Sequence, residues 1–189
     1  MKVRESGMPI EKIWSQFFDI ELLLSELQIN TSIHDLVEVG CGYGTFTIPV
    51  AKLISGKLFG FDIEKEMLDT VRQKLTNKNI GNVILEQRDV LSHTTGLKNN
   101  SIDYVMLFNI LHHHNPDELL NEAFRILKPK GRIGIIHWRS DIATPRGPNL
   151  SIRPTPEQIN QWIDLKKFAV DKQTFWLLPY HYGIIISKL

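Results

Sequence analysis

Hydrophobic positions along this chain repeat with two different periods that take turns. In residues 10 to 29, "IEKIWSQFFDIELLLSELQI", Ile13, Phe17, Ile20, Leu24 and Leu27 recur at helical spacing with acids between them, which predicts one helix or two in succession. "DLVEVG", residues 35 to 40, is a short apolar run stopped by glycine, and "FTIPVAKLIS" returns to the helical period. The pair reads as strand, tight turn, helix. Pro49 fits that helix only in its first turn, where few amides have partners to lose. The alternation goes on through "KLFGFDI" (strand), "EKEMLDTVRQKLTN" (helix), "NVILEQRDV" (strand) and a loop from Ser92 to Asn100. "SIDYVMLFN" follows as a buried strand, "PDELLNEAFRILKPKG" as a helix starting at Pro116 and stopping before Pro129-Lys130-Gly131, and "GRIGIIHW" as a fifth strand.

Strands alternating with helices imply a parallel sheet covered on both faces, because parallel strands need crossover connections. The nearly continuous apolar strands fit that burial. After Trp138 the pattern breaks: "RSDIATPRGPNLSIRPTPEQ" carries prolines at 145, 148, 154 and 156 among polar and basic residues, too irregular for an element. "PEQINQWIDLKKF" then reads as a short helix, and "FAVDKQTFWLLPYHYGIIISKL" as two strands joined through Pro179-Tyr180 that can pair antiparallel. The expectation is one doubly wound α/β domain over residues 1–189, with seven mostly parallel strands, an antiparallel C-terminal strand and helices on both faces. Residues 1–34 would form an N-terminal helical cap and 139–155 a loop over the pocket.

Composition narrows the chemistry. At 189 residues the chain can bury a core without staples, and 22 Lys+Arg against 21 Asp+Glu leave a net charge of +1. That balance provides no global field for nucleic acid or an anionic membrane, so neither is expected as a partner. The lone cysteine, Cys41, excludes an internal disulfide and any cysteine-built cluster, in keeping with a reducing compartment. No run resembles a signal peptide or a membrane span, and a cytoplasmic protein is expected.

Chemistry concentrates at strand ends. "VEVGCGYG", residues 37 to 44, places glycines at 40, 42 and 44, which let the backbone turn sharply and approach a ligand with a helix N-terminus beyond. The dinucleotide fingerprint G-x-G-x-x-G would need glycine where Thr45 stands. Asp62 ends the second strand, twenty residues past Gly42, where a carboxylate can accept both hydroxyls of a ribose. Asp89, in "QRDV", lies on the same edge and could accept from an adenine amino group, although either aspartate alone is as often a helix cap.

On these motifs the chain resembles the class I S-adenosylmethionine-dependent methyltransferases over nearly its whole length. "LVEVGCGYG" is similar to that family's first motif, "GFDIEKEML" to its ribose-binding strand and helix, "QRDV" to its adenine-contacting turn, and "IDYVMLFNILHH" through "EAFRILKPKGRI" to its fourth and fifth strands. The resemblance implies a Rossmann-like fold and S-adenosylmethionine as cofactor. Glu38, Gly40, Gly42 and Gly44 would frame its amino-acid part, Asp62 with Ile63 its ribose, and Asp89 with Val90 its adenine. Asn109 would stand near the sulfonium.

The acceptor is less constrained. Methyl transfer is an in-line displacement whose leaving group needs no proton, so alignment and desolvation can carry much of the rate. Trp14, Phe17 and Phe18 are candidates to close an acceptor pocket, with core packing the better role for Phe17. Arg139, Arg146 and Arg153 could clamp an anionic acceptor, against a plainer role as solvated loop charges. The triplet His112-His113-His114 invites a metal reading, yet consecutive residues do not share a face and no acidic ligand set lies near, so no metal is expected. His112 or His113 is instead a candidate to take the acceptor's proton, while His137 and His181 read as core or edge residues. "FNIL" lacks the Asn/Asp-Pro-Pro-aromatic signature of amino-group methylation, leaving a small-molecule acceptor as the leading expectation. A nicotinamide-dependent oxidoreductase and a non-catalytic S-adenosylmethionine-binding protein are the alternatives.

Overall fold

The computed structural model describes residues 8–189, so the first seven positions of the expected cap lie outside the described residues. Seven strands form one sheet in the order β3-β2-β1-β4-β5-β7-β6. They are β1 (Leu36–Val39), β2 (Leu58–Asp62), β3 (Val83–Gln87), β4 (Ile102–Phe108), β5 (Leu127–Trp138), β6 (Phe168–Leu177) and β7 (His181–Lys188). β1 to β5 pair in parallel, and β7 runs antiparallel between β5 and β6. The helices are α1 (Glu11–Trp14), α2 (Ile20–Glu26), α3 (Thr47–Leu53), α4 (Lys65–Asn77), α5 (Val90–His93), α6 (Pro116–Ile126) and α7 (Pro156–Trp162). A 3₁₀ turn at Ser15–Phe17 divides the N-terminal pattern into two helices.

Burial on both faces explains the continuous apolar strands. Along β4, Val105 and Leu107 join one core with Leu119, Leu120 and Ala123 of α6, while Tyr104, Met106 and Phe108 join another with Leu23 of α2 and Val50 of α3. β5 and β7 supply both layers in the same way, through Ile133 and Ile184 on one side and Ile136 and Ile185 on the other. Tyr104 crosses the second core to donate to the Leu27 carbonyl at 2.9 Å. It passes over Gly134, where an added Cβ would lie 2.1 Å from the phenolic oxygen. Only a residue without a side chain fits there.

Local signals behave as the residue types dictate. Pro49 sits in the first turn of α3, and Pro156 opens α7 behind a capping box in which Thr155 accepts from the Gln158 amide. Two boundaries differ from the sequence expectation. β3 stops at Gln87, and Val90–His93, expected as strand end and loop, is the short helix α5. α6 stops at Ile126, and Leu127-Lys128-Pro129-Lys130-Gly131 already belongs to β5, whose pairing with β4 is irregular there while Lys130 adopts φ 65°. The break that proline and glycine signalled is thus an irregularity in the strand's first residues. The loop before β4 is clamped to α6: Glu122 accepts from the Thr95 amide and hydroxyl at 2.7 and 2.6 Å and pairs with Arg125, which reaches the Leu97 carbonyl. Among the described residues, no helix is long and apolar enough to cross a membrane.

Candidate functional site

The strand order reverses between β1 and β4, and a cavity opens along the carboxyl edge there, where open α/β sheets place their ligands. It encloses about 960 Å³, solvent at its mouth included. Strand tips supply most of the wall: Val39 and Gly40 after β1, Phe61 and Asp62 of β2, Arg88 to Leu91 after β3, Phe108 and Asn109 at β4, and Trp138 of β5. Met8 and Trp14 close it from the N-terminal segment. With neighbouring strands about 4.8 Å apart, the wall from β2 to β5 spans three spacings, roughly 14 Å.

The glycine turn owes its shape to backbone bonds that link it to β2. Gly40 and Gly42 adopt φ 79° and 48°, and their amides donate to the Phe61 carbonyl at 2.7 Å and to the Asp62 carboxylate at 2.8 Å. The other Asp62 oxygen accepts from the Glu64 amide at 3.0 Å. A carboxylate offers about four lone-pair sites, so two remain for hydroxyls of a bound ligand. Gly44 serves differently: it does not line the cavity, and an added Cβ would press to 3.1 Å from Val71 of α4. Its role is helix packing, which corrects the expectation that it frames a ligand.

Glu38 also lies off the cavity wall. Its side chain is almost fully buried beneath the turn, where the Thr47 hydroxyl donates to it at 2.6 Å. Burial, against the Thr47 hydrogen bond and with help from nearby Asp62, pushes its carboxyl up to about 8. Near neutral pH this group is uncharged and shapes the turn from below. Asp89 lines the cavity yet also caps α5, accepting from the Leu91 and Ser92 amides and the Ser92 hydroxyl. Burial would raise its carboxyl, but those donors outweigh it and hold the group below the usual carboxylate range. Ile63 and Val90 line the wall beside these two aspartates.

At the tip of β4, Asn109 takes φ 55°, a left-handed conformation that asparagine tolerates better than most residues. Its side-chain amide nitrogen and oxygen are both buried and have no hydrogen-bond partner among the described residues. Leaving a buried polar group unsatisfied costs about 1–3 kcal/mol, so the fold alone does not account for the amide's placement. The glycine turn, the spare lone pairs of Asp62 and this unpaired amide together fit the amino-acid, ribose and sulfonium regions of S-adenosylmethionine.

The histidine triplet divides. His112 is buried and lines the cavity, His113 stacks on it at 5.8 Å without reaching the wall, and His114 is exposed. Among the described residues, no group of acids, histidines and cysteines has the geometry of a metal site. Trp14 joins the wall, set edge-on to Phe18 and near Trp138. Phe17 packs on Trp138 and Tyr180, and Phe18 on Phe46 and His181, outside the cavity.

The arginine loop is corrected most. None of residues 139–155 lines the cavity. Arg139 forks onto Asp141 at 3.0 and 2.7 Å and covers Trp176. Arg146 is exposed, and its carbonyl is used by Thr144 and Arg153. Buried Arg153 donates to the carbonyls of Pro148, Arg139 and Arg146 and lies over Trp138. The guanidinium groups of Arg139 and Arg153 are thus occupied by Asp141 and by loop carbonyls. Wall residues that sequence reasoning passed over include Met8, Met67, Arg88, Phe108, Leu119 and Trp138. Position at a strand's carboxyl end was the available signal for Phe108 and Trp138, and the long-range packing of the others left none.

Residues 36–131 match the model of a family described as a methyltransferase domain. A demethylmenaquinone methyltransferase from Lactobacillus johnsonii is 33% identical over 104 residues, covering 53% of this chain and 42% of that protein. A ubiquinone/menaquinone biosynthesis C-methyltransferase from Pasteurella multocida is 30% identical over 116 residues, 59% of this chain and 42% of that one. These matches span less than half the length of the curated relatives. Among solved structures, a SAM-dependent methyltransferase from Aquifex aeolicus superposes with a TM-score of 0.81 at 20% identity, covering 92% of both chains, and so shares the fold.

Proposed function

Because this chain belongs to the class I S-adenosylmethionine-dependent methyltransferases, we propose that it transfers the cofactor's methyl group to a small, uncharged, ring-shaped acceptor. The observation that carries the reading is the buried, unpartnered amide of Asn109 at the switch point, beside a glycine turn tied to Asp62. When bound, S-adenosylmethionine supplies an electrophilic methyl on a positively charged sulfur. Asp62 would accept the ribose hydroxyls, Asp89 with Val90 and Ile63 would flank the adenine, and Gly40 and Gly42 would let the backbone approach the amino-acid part. Asn109 would direct its amide oxygen to the polarised region near the sulfonium.

The wall's polarity supports the acceptor class. Asp62, Glu64, Arg88 and Asp89 gather at the β2 and β3 tips, on one side of β1. On the other side, the β4 and β5 tips present Phe108, Ile110, Trp138 and, from the neighbouring elements, Trp14 and Leu119, with His112 as the titratable group. Such a surface desolvates a flat apolar molecule and offers an imidazole for one acidic proton. The quinone-related names of the curated relatives agree with that chemistry. Desolvation and in-line alignment would supply most of the acceleration, and His112 would take the proton that the acceptor sheds.

Calorimetric titration with S-adenosylmethionine and with NAD tests the cofactor: binding of the first and not the second is expected, and the converse would overturn the reading in favour of an oxidoreductase. Release of S-adenosylhomocysteine, counted across neutral phenols and hydroquinones against carboxylated or phosphorylated analogues, tests the acceptor. Turnover confined to the charged analogues would refute the class proposed, and cofactor binding with no turnover on any of them would favour a non-catalytic binding protein.

A further inference from the structure

We propose that Lys74 is a positioning residue for cofactor binding: its ammonium ties the segment that closes the cavity, residues 8–14, to the glycine turn beneath it, and so sets how often the site opens. The purpose rests on the reading that S-adenosylmethionine lies against Gly40 and Gly42, whereas the tie itself stands on geometry. Lys74 belongs to α4 and does not line the cavity. Its ammonium donates to the Glu11 carboxylate of α1 and, at 2.6 Å, to the carbonyl of Tyr43, the residue between Gly42 and Gly44. One partly buried cation therefore holds both the cover and the turn.

The segment has little of its own to hold it in place. α1 is four residues long, too short for a helix that persists alone, and among the described residues no side chain caps it. Its position comes from what it touches. Trp14 packs against Phe18 and Trp138 with ring centroids 5.0 and 6.1 Å apart, and the Met8 sulfur lies 3.6 Å from the point where a Cβ on Gly42 would stand. Met8 and Trp14 both line the cavity. Met8 thus stands over the glycine that the cofactor's amino-acid part is to approach, so the segment must lift before the cofactor enters and can close again over it.

Lys74 acts on that step in two ways. Neither Glu11 nor Lys74 is among the residues that line the cavity, so their pair holds the segment down in the empty and in the loaded site alike. A tie that favours closure equally in both states slows entry and exit by the same factor and leaves affinity unchanged. The bond to the Tyr43 carbonyl works differently. It fixes the backbone between two glycines with φ 48° and 76°, in the turn from which the Gly42 amide reaches Asp62. Losing that bond loosens the cofactor's seat and weakens affinity.

Stopped-flow binding of S-adenosylmethionine to the full chain separates the two effects. Glu11→Gln keeps the shape and removes the charge. Its association and dissociation should both quicken by about two- to fivefold, the effect of losing a partly exposed ion pair, with Kd unchanged within about twofold. Lys74→Met, which frees Tyr43 as well, should quicken dissociation more than association and raise Kd at least about threefold. A merely structural defect would speed release without speeding entry, so an unchanged or slower association in Glu11→Gln would overturn the proposal. Hydrogen exchange of the ligand-free chain reads the same tie without cofactor. The Trp14 amide, bonded to the Ile10 carbonyl at 3.1 Å, should exchange faster in both variants, and the Gly44 amide, bonded to the Cys41 carbonyl at 2.8 Å, faster in Lys74→Met alone. Equal exchange at Trp14 in native and variant proteins would overturn the proposal as well. Failure of the native chain to bind S-adenosylmethionine would sink the reading of the cavity and leave the exchange result to decide the tie.

Discussion

Replacing Glu38 by glutamine should change the pH dependence of folding more than any other single substitution beneath the glycine turn. The carboxyl is about 1% exposed, has one hydroxyl donor and, among the described residues, no cation beside it, and burial pushes it up to about 8 from an ordinary value of 4.5. Between those values the unfolded chain sheds a proton that the native protein keeps. The contribution to stability is therefore fully present below 4.5 and is lost as pH rises toward 8. At about 1.4 kcal/mol per pH unit, the native protein should lose about 3 kcal/mol between pH 5 and pH 7 relative to Glu38→Gln, which has the same shape and no titration. Urea unfolding of both proteins at a series of pH values provides the comparison, because every other titrating group cancels in the difference. Parallel stability profiles, or a native protein that gains on the variant as pH rises, would show that Glu38 is ionised in the fold and refute the argument.

Asp62→Ala removes both the hold on the Gly42 amide and the proposed ribose acceptor, and S-adenosylmethionine affinity should fall at least about tenfold by calorimetry, roughly 1.4 kcal/mol. Gly134→Ala should destabilise by about 1–3 kcal/mol in urea, since its Cβ meets the Tyr104 ring and hydroxyl. For Glu122, burial raises the carboxyl but Arg125 and Thr95 hold it lower overall, so its stabilisation is present above the ordinary value of 4.5 and lost as pH falls through the lowered one. Glu122→Gln should accordingly cost about 2 kcal/mol at pH 7 and unfold with a flatter acid limb, measured by thermal melts from pH 7 to pH 3.

How much of this was legible in the sequence depends on the range of the interactions. The glycine turn, Asp62 and the strand tips follow from short spacings, and the structure brings Gly40, Gly42, Asp62, Ile63, Asp89, Val90 and Asn109 to one cavity. Trp14 and His112 also reach it, because a helix entering the sheet edge and a loop leaving β4 have few other places to go. Arg139 and Arg146 do not, since loop charge says nothing about where a side chain goes: Arg146 is exposed, and Arg139 is occupied by Asp141, two residues away, which was the overlooked hint. Gly44 and Glu38 carry the right residue types but point at α4 and Thr47 instead of the ligand space. The contact of Nδ1 of His112 with Nε2 of His137, at 3.4 Å, lay beyond reach because it depends on the register between β4 and β5, where Phe108 pairs with Ile136 and the residues that follow are brought level.

Cys41 stands between the two glycines of the turn that face the cavity, 4% exposed, its sulfur tucked beside Gly60 of β2 and its thiol pushed up by burial and by Glu38 and Asp62. A thiol reagent can reach it only when the turn lifts away from the sheet, and no second cysteine competes for the label. The chain thus carries its own stopwatch for opening of that one segment: the labelling rate times how often the turn detaches, and a ligand that closes over Gly40 and Gly42 should lengthen the interval in proportion to its occupancy.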